Sequence, residues 1–178
     1  IARIRVIKPR IGGGFGGKED ISVQIIASLG AVATGRPVKY TYTRRESIMV
    51  SGKRNATHQR YKTGAKKDGR LTAVEVDIIA KGGAYASVEE AVILRSVSFA
   101  AGPYTIPAAE VKARAVYLNH APACAMRGFG NPTVSFGSEM MMNKMAVALN
   151  IDPIDFRLIN ALGTGKPTIT GDRPVYSV

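Results

Sequence analysis

The stretch Ile1-Ala-Arg-Ile-Arg-Val-Ile-Lys-Pro-Arg-Ile-Gly-Gly-Gly-Phe-Gly-Gly-Lys-Glu-Asp20 decides which fold class the chain can join. Gly12, Gly14 and Gly17 match the spacing of a dinucleotide-binding fingerprint, and Gly12 to Lys18 match the Walker phosphate loop. The neighbours argue against both. In residues 1–7, Ile4 and Val6 alternate with Arg3 and Arg5, the period of a half-exposed strand. The buried parallel strand of a dinucleotide-binding fold is instead apolar almost throughout. Glu19 stands where a Walker loop needs a Ser or Thr on magnesium, and its carboxylate would repel phosphate. Arg44-Arg45 keeps an NADP-binding domain open as an alternative. What remains is backbone physics. Glycines clear side chains away so that N–H groups reach a ligand, and the following helix adds the positive end of its dipole. A plain strand-to-helix turn is the structural alternative.

Outward from the glycines, the pattern predicts a helix over Asp20–Ala33, stopped by Gly35-Arg36-Pro37. A strand follows, in which Val38, Tyr40 and Tyr42 alternate with Lys39, Thr41 and Thr43. His58–Ala65 and Leu71–Ala80 read as a hairpin across Lys67-Asp68-Gly69. Gly82-Gly83 marks a candidate lobe break within one unit spanning residues 1–178. Val88–Ala100 reads as a short helix and Val111–Leu118 as a strand. Asn131-Pro132 supplies an N-cap and a first helical residue for a helix to Leu149. Asp152-Pro153 repeats the device for a short helix ending near Leu162. The tail, residues 164–178, is turn-rich and offers the core no evident contribution. Mixed strands and helices in this order give an α+β class, with doubly wound α/β second.

The formal charge of +12 is unevenly placed. Residues 1–70 carry 16 Lys and Arg against 4 acids, while residues 71–178 carry 9 of each. The excess therefore faces a phosphate-bearing cofactor, an acidic partner or nucleic acid. The basic stretch has no interleaved aromatic platform and no helix-turn-helix or zinc pattern, which argues against nucleic acid. His58 and His120 are isolated, so no metal-ligand set is expected. The lone Cys124 rules out an internal disulfide framework and fits a reducing, cytoplasmic compartment. The longest apolar run, Ile25–Ala33, is broken by Ser28 and Gly30, so no membrane span is expected. A start at Ile1 with no leader pattern reads as an internal segment.

A second unusual segment is Ala125-Met126-Arg127-Gly128-Phe129-Gly130, which ends at a helix start and offers backbone donors, a guanidinium and a ring together. In combination with Gly12-Gly13-Gly14-Phe15-Gly16-Gly17-Lys18-Glu19, it resembles the molybdenum hydroxylases, the xanthine dehydrogenase and aldehyde oxidase family. Tyr104-Thr105-Ile106-Pro107 and the Asp152-Pro153 helix are also similar to that family. The resemblance covers nearly the entire chain, which would be a fragment of the large molybdopterin-binding subunit.

The resemblance implies that Phe15 and Gly16 lie beside the molybdenum, that the backbone around Met126 and Arg127 binds the pterin, and that Phe129 presses its ring on the substrate. Glu19 and Arg95 match the substrate-contacting pair of xanthine dehydrogenases, which favours purines or related N-heteroaromatics over aldehydes. A solvated Glu19 and a helix-surface Arg95 are the structural alternatives. The family hydroxylates carbon with oxygen from water and passes electrons to iron–sulfur clusters and FAD on other domains or subunits. Its cofactor is the molybdenum–pterin group, in some members the cytosine dinucleotide form. The family's catalytic glutamate falls beyond this segment and its oxo-contacting glutamine before it, so no catalytic residue is expected here and the isolated chain is expected to be inactive. Expected partners are the rest of the molybdenum-binding subunit and the iron–sulfur and flavin units. A non-catalytic structural or assembly fragment is the alternative from a different class. Met126 departs from the phenylalanine common in xanthine dehydrogenases, and Gly128 replaces the cysteine of the copper-dependent carbon monoxide enzymes.

Overall fold

In chain order the elements are α1 (Ser22–Thr34), α2 (Arg44–Val50), β1 (Thr57–Ala65), β2 (Leu71–Gly83), α3 (Glu89–Phe99), β3 (Ala108–Tyr117), α4 (Asn131–Leu149) and α5 (Pro153–Asn160). This computed structural model describes residues 4–175. From Val74 to Ala80 every second side chain of β2 is apolar, and Val74, Val76, Ile78 and Ala80 are buried on one face. The other face carries Glu75 and Asp77. There Asp77 pairs with Arg114 at 3.3 Å and Glu75 with Lys62 at 4.0 Å, exposed pairs that contribute little stability. One face is therefore core and the other is water-facing.

β2 is the centre of a three-stranded sheet in the order β1-β2-β3, antiparallel to β1 and parallel to β3. α3 is the crossover that parallel neighbours require. α4 buries Val134, Ser138, Met142 and Ala146, a stripe with a four-residue repeat, against the apolar face of the sheet. Met141 and Met145 flank that stripe as core filling, whereas Met140 is exposed. α5 drives Phe156 fully into the same core. The hairpin, α3, β3, α4 and α5 lie where alternation and the Asn131-Pro132 and Asp152-Pro153 cap signals placed them, and the mixed architecture is α+β.

Three expectations are corrected. Residues 4–7 form no strand, and their apolar side chains are exposed; residues 1–3 lie outside the described residues. Residues 38–43 also form no strand: Val38 folds back on α1 at Gly30, and Tyr40 meets Tyr42 edge to face at 5.3 Å. Alternation suits a half-exposed strand, but a ladder also needs a neighbour with free donors and acceptors. The tail contributes after all, because Ile169 packs against the core cluster. α2 was missed although its signal is local. The Thr43 hydroxyl accepts from Glu46 N at 3.2 Å while the Glu46 carboxylate accepts from Thr43 N at 2.7 Å, a full capping box. The cap of α4 is Gly130, one residue earlier than the Asn131 signal suggested.

α1 and α2 bury none of their residues. Ile21, Ile25, Leu29 and Val32 fall along one side of α1 and are 50–66% exposed. No helix among the described residues is long and apolar enough to cross a membrane.

Candidate cofactor-binding site

Gly12–Gly17 and residues 121–130 lie far apart in sequence, and the fold brings them into backbone contact. Arg127 N–H donates to the Phe15 carbonyl at 2.9 Å. Gly16, at φ +93°, sits so close to Ala125 that a Cβ there would lie 2.5 Å from the Ala125 carbonyl carbon. Only glycine combines that backbone angle with that approach. The Arg127 guanidinium lies 5.7 Å from the Phe15 ring centroid, a cation–π distance. Phe15 and Phe129 both hold positive φ, +51° and +49°, a conformation that costs a bulky side chain free energy and persists only where its surroundings enforce it.

The arginine loop is supported from two further directions. α3 underlies it, since a Cβ on Gly130 would lie 2.5 Å from the Val92 carbonyl. The segment Gly52–Asn55 runs beside it. Cys124 N–H donates to the Lys53 carbonyl at 2.9 Å, and the Arg54 Nη2 donates to the Arg127 carbonyl at 2.7 Å. Asn55 is buried and donates through Nδ2 to Glu89 Oε1 at 2.8 Å. Sequence reasoning missed Arg54, Asn55 and Glu89. Only Arg54 carries a signal, its place in the basic stretch, and that signal does not single it out.

The expected site residues are distributed around these loops. Phe15, Gly16 and Arg127 form the contact itself, with Ala125 opposite Gly16; Met126, between Ala125 and Arg127, is exposed. Phe129 follows within one tight turn, where its N–H donates to the Met126 carbonyl at 2.8 Å. Glu19 is exposed just past the glycine loop, where its N–H reaches the Gly16 carbonyl at 3.4 Å. Arg95 is exposed on α3, three residues after Val92, with its guanidinium 5.0 Å over the Phe99 ring. Both backbone groups of Arg127 are already engaged, whereas the amides of Met126, Gly128 and Gly16 have no partner among the described residues. Cys124 is buried, and burial, with Asp20 and Glu19 adding to it, pushes its thiol pKa up. It is a packed neutral thiol. No cluster of metal-ligating side chains occurs among the described residues. A cleft of about 770 Å³ opens between β1 and α4, with Arg54 and Arg60 among its lining residues, and not at the glycine loop.

Glu89 supplies a pH signature for this scaffold. Burial raises its carboxyl pKa against the lowering effect of the Asn55 bond, and its Oε2 is enclosed without a partner. A carboxyl raised in the folded state stabilises fully below its ordinary value and loses that contribution as pH rises through the folded value. Gln mimics the protonated acid without titrating. Glu89→Gln is therefore expected to gain stability relative to the parent as pH rises from 4 to 8. Parallel urea melts at both ends of that range check it, and a difference that does not change with pH refutes it.

Facing backbone loops with unpartnered amides, buttressed by a guanidinium, are an arrangement able to grip an acceptor-rich ligand through main chain. The comparisons with known proteins give the family: the chain belongs to the molybdopterin cofactor-binding domain family, whose profile matches residues 1–161. It is 46% identical over 170 residues to the nicotinate dehydrogenase large molybdopterin subunit of Eubacterium barkeri, covering 96% of this chain and 40% of that protein. It is 35% identical over 176 residues to the xanthine dehydrogenase molybdenum-binding subunit of Escherichia coli O157:H7, covering 98% of this chain and 23% of that protein. The aldehyde oxidoreductase structure from Desulfovibrio gigas superposes with a TM-score of 0.89 at 35% identity, over 94% of this chain and 18% of that one. The chain thus spans less than half the length of each of these relatives, which are named as oxidoreductases and dehydrogenases.

Proposed function

We propose that this chain is the part of a molybdenum-dependent hydroxylase subunit that holds the pterin cofactor and helps select purines or related N-heteroaromatic substrates. The observation that carries this reading is the contact between the two loops, with the Gly16, Met126 and Gly128 amides left free. Unpartnered N–H groups suit a pterin and a phosphoryl group, both rich in acceptors. When bound, that cofactor supplies oxidation of carbon with oxygen drawn from water. This chain's residues do the holding: Phe15 and Gly16 from one side, Met126 and Arg127 from the other, with Phe129 and its ring on the substrate side. The base that completes the reaction is supplied from beyond this chain, which leaves the isolated chain inactive.

Arg95 stands one turn along α3 from Val92, where the helix meets the arginine loop. Its guanidinium fits a purine carbonyl, and equally the carboxylate of nicotinate, the compound for which one relative is named. The exposed apolar side of α1 and the basic first 70 residues dock on the remainder of the molybdenum subunit and on iron–sulfur and flavin units. A cytoplasmic location accords with the single buried thiol.

Arg95→Met in the assembled enzyme is expected to cut turnover of N-heteroaromatics about 10- to 100-fold more than turnover of small aldehydes, the range for a lost charge-assisted contact. Equal losses on both substrates would assign Arg95 a structural role only. Metal analysis of the purified enzyme tests the broader reading, because a structural fragment or an NADP-binding domain carries no molybdenum.

A further inference from the structure

We infer that Arg54 is a positioning residue of this site, setting the Arg127–Gly128 peptide so that the Gly128 amide is presented to the cofactor; this rests on the reading above. A trans peptide points its C=O and N–H in opposite directions. There are no cis bonds among the described residues, and the Arg127 carbonyl is held by Arg54 Nη2 at 2.7 Å. The Gly128 N–H is therefore turned away from Arg54, on the far side of the same peptide. Gly128 itself sits at φ +92°, so its own backbone angles leave that peptide easy to turn without an external hold.

The other side of Arg127 is set in the same manner. Its N–H is fixed on the Phe15 carbonyl at 2.9 Å, so the two consecutive peptides around Arg127 are each anchored by one bond, one from the glycine loop and one from Arg54. Arg54 is in turn carried on a rigid segment. Lys53 accepts from Cys124 N–H, and Asn55 is locked on the buried Glu89. Arg54 Nη1 is enclosed with no partner, and no carboxylate pairs with this guanidinium among the described residues. A partly buried cation without a counter-charge is costly, so the Arg127 carbonyl, the acceptor it has among the described residues, ties the guanidinium to this loop. Arg60, six residues on, is exposed and makes no such contact, although it carries the same charge.

The test uses the assembled enzyme expressed with limiting molybdenum, reading molybdenum and organic phosphate per subunit and the melting temperature of cofactor-free protein. Arg54→Met is expected to lower cofactor content about ten-fold while the cofactor-free melting temperature stays within a few degrees of the parent. Arg54→Lys, which keeps the charge and a donor, is expected to recover part of the content, and Arg60→Met to lose none. Full loading of Arg54→Met overturns the inference. So does a loss matched by Arg60→Met, which would make the effect one of net charge, and so does no recovery in Arg54→Lys. If Arg54→Met does not fold, Arg54→Gln is read against the same outcomes. A parent enzyme with no molybdenum overturns the functional reading itself and the inference with it, whereas a loaded parent beside a fully loaded Arg54→Met overturns the inference alone.

Discussion

Gly16→Ala is expected to reduce the molybdenum content and turnover of the assembled enzyme at least ten-fold. Two costs combine. The residue holds φ +93°, where an L side chain is strained by on the order of 1–2 kcal/mol. The added carbon also meets the Ala125 carbonyl, which is main chain and has no rotamer to yield. Relief requires the glycine loop and the arginine loop to separate, which breaks the bond between Arg127 N–H and the Phe15 carbonyl. The loops lie outside the buried cluster, so the melting temperature of cofactor-free protein is expected to fall by only a few degrees. Gly12→Ala is the control, because a Cβ there meets nothing within 4 Å. Metal content, turnover and melting on the same preparations decide the matter. Full metal and activity in Gly16→Ala would show that loop contact is irrelevant to the cofactor, and a fall in stability large enough to account for the lost activity would reduce the glycine to a turn-former.

Asn160→Ala is expected to destabilise the folded chain by on the order of 3 kcal/mol. Asn160 is buried at the end of α5, and its side chain ties that helix to the hairpin turn. Oδ1 accepts from Leu71 N–H at 2.8 Å, and Nδ2 donates to the Gly69 carbonyl at 2.8 Å and the Phe156 carbonyl at 2.9 Å. Truncation strands a buried amide and a buried carbonyl, and desolvating such orphans without a partner is what costs most. Leu158→Ala, two residues earlier and exposed, is expected to change stability by less than about 0.5 kcal/mol. Urea denaturation of the two variants side by side measures the contrast. If Asn160→Ala is no worse than Leu158→Ala, water replaces the lost partners and the tie contributes nothing.

The hairpin, α3, β3, α4 and α5 were legible because each carries its own period and its own punctuation. Leu71–Ala80 alternates by two, α4 repeats by four, and Asp152-Pro153 announces α5; there Asp152 Oδ1 accepts from Ile154 N at 2.7 Å. The failures at residues 4–7 and 38–43 have one cause. Alternation records which side chains want burial, and it is silent on whether another strand lies alongside. α2 was legible in principle through the Thr43–Glu46 box, which the strand reading of the preceding residues overshadowed.

The site divides in the same way. Sequence alone marked residues 12–19 and 125–130 as chemically unusual, and it joined them as a pair only through their resemblance, in that order, to the molybdenum hydroxylases. It also determined the α+β class and the placement of the positive charge in residues 1–70. Only the tertiary structure decided that Phe15 and Arg127 share a hydrogen bond, that Gly16 abuts Ala125, and that Arg54, 73 residues before Arg127, holds its carbonyl. The physical reason is that a main-chain hydrogen bond or a close backbone approach uses atoms every residue possesses. Residue identity announces unusual side chains and unusual freedom, but which carbonyl meets which amide is settled by where the sheet and its helices carry the chain.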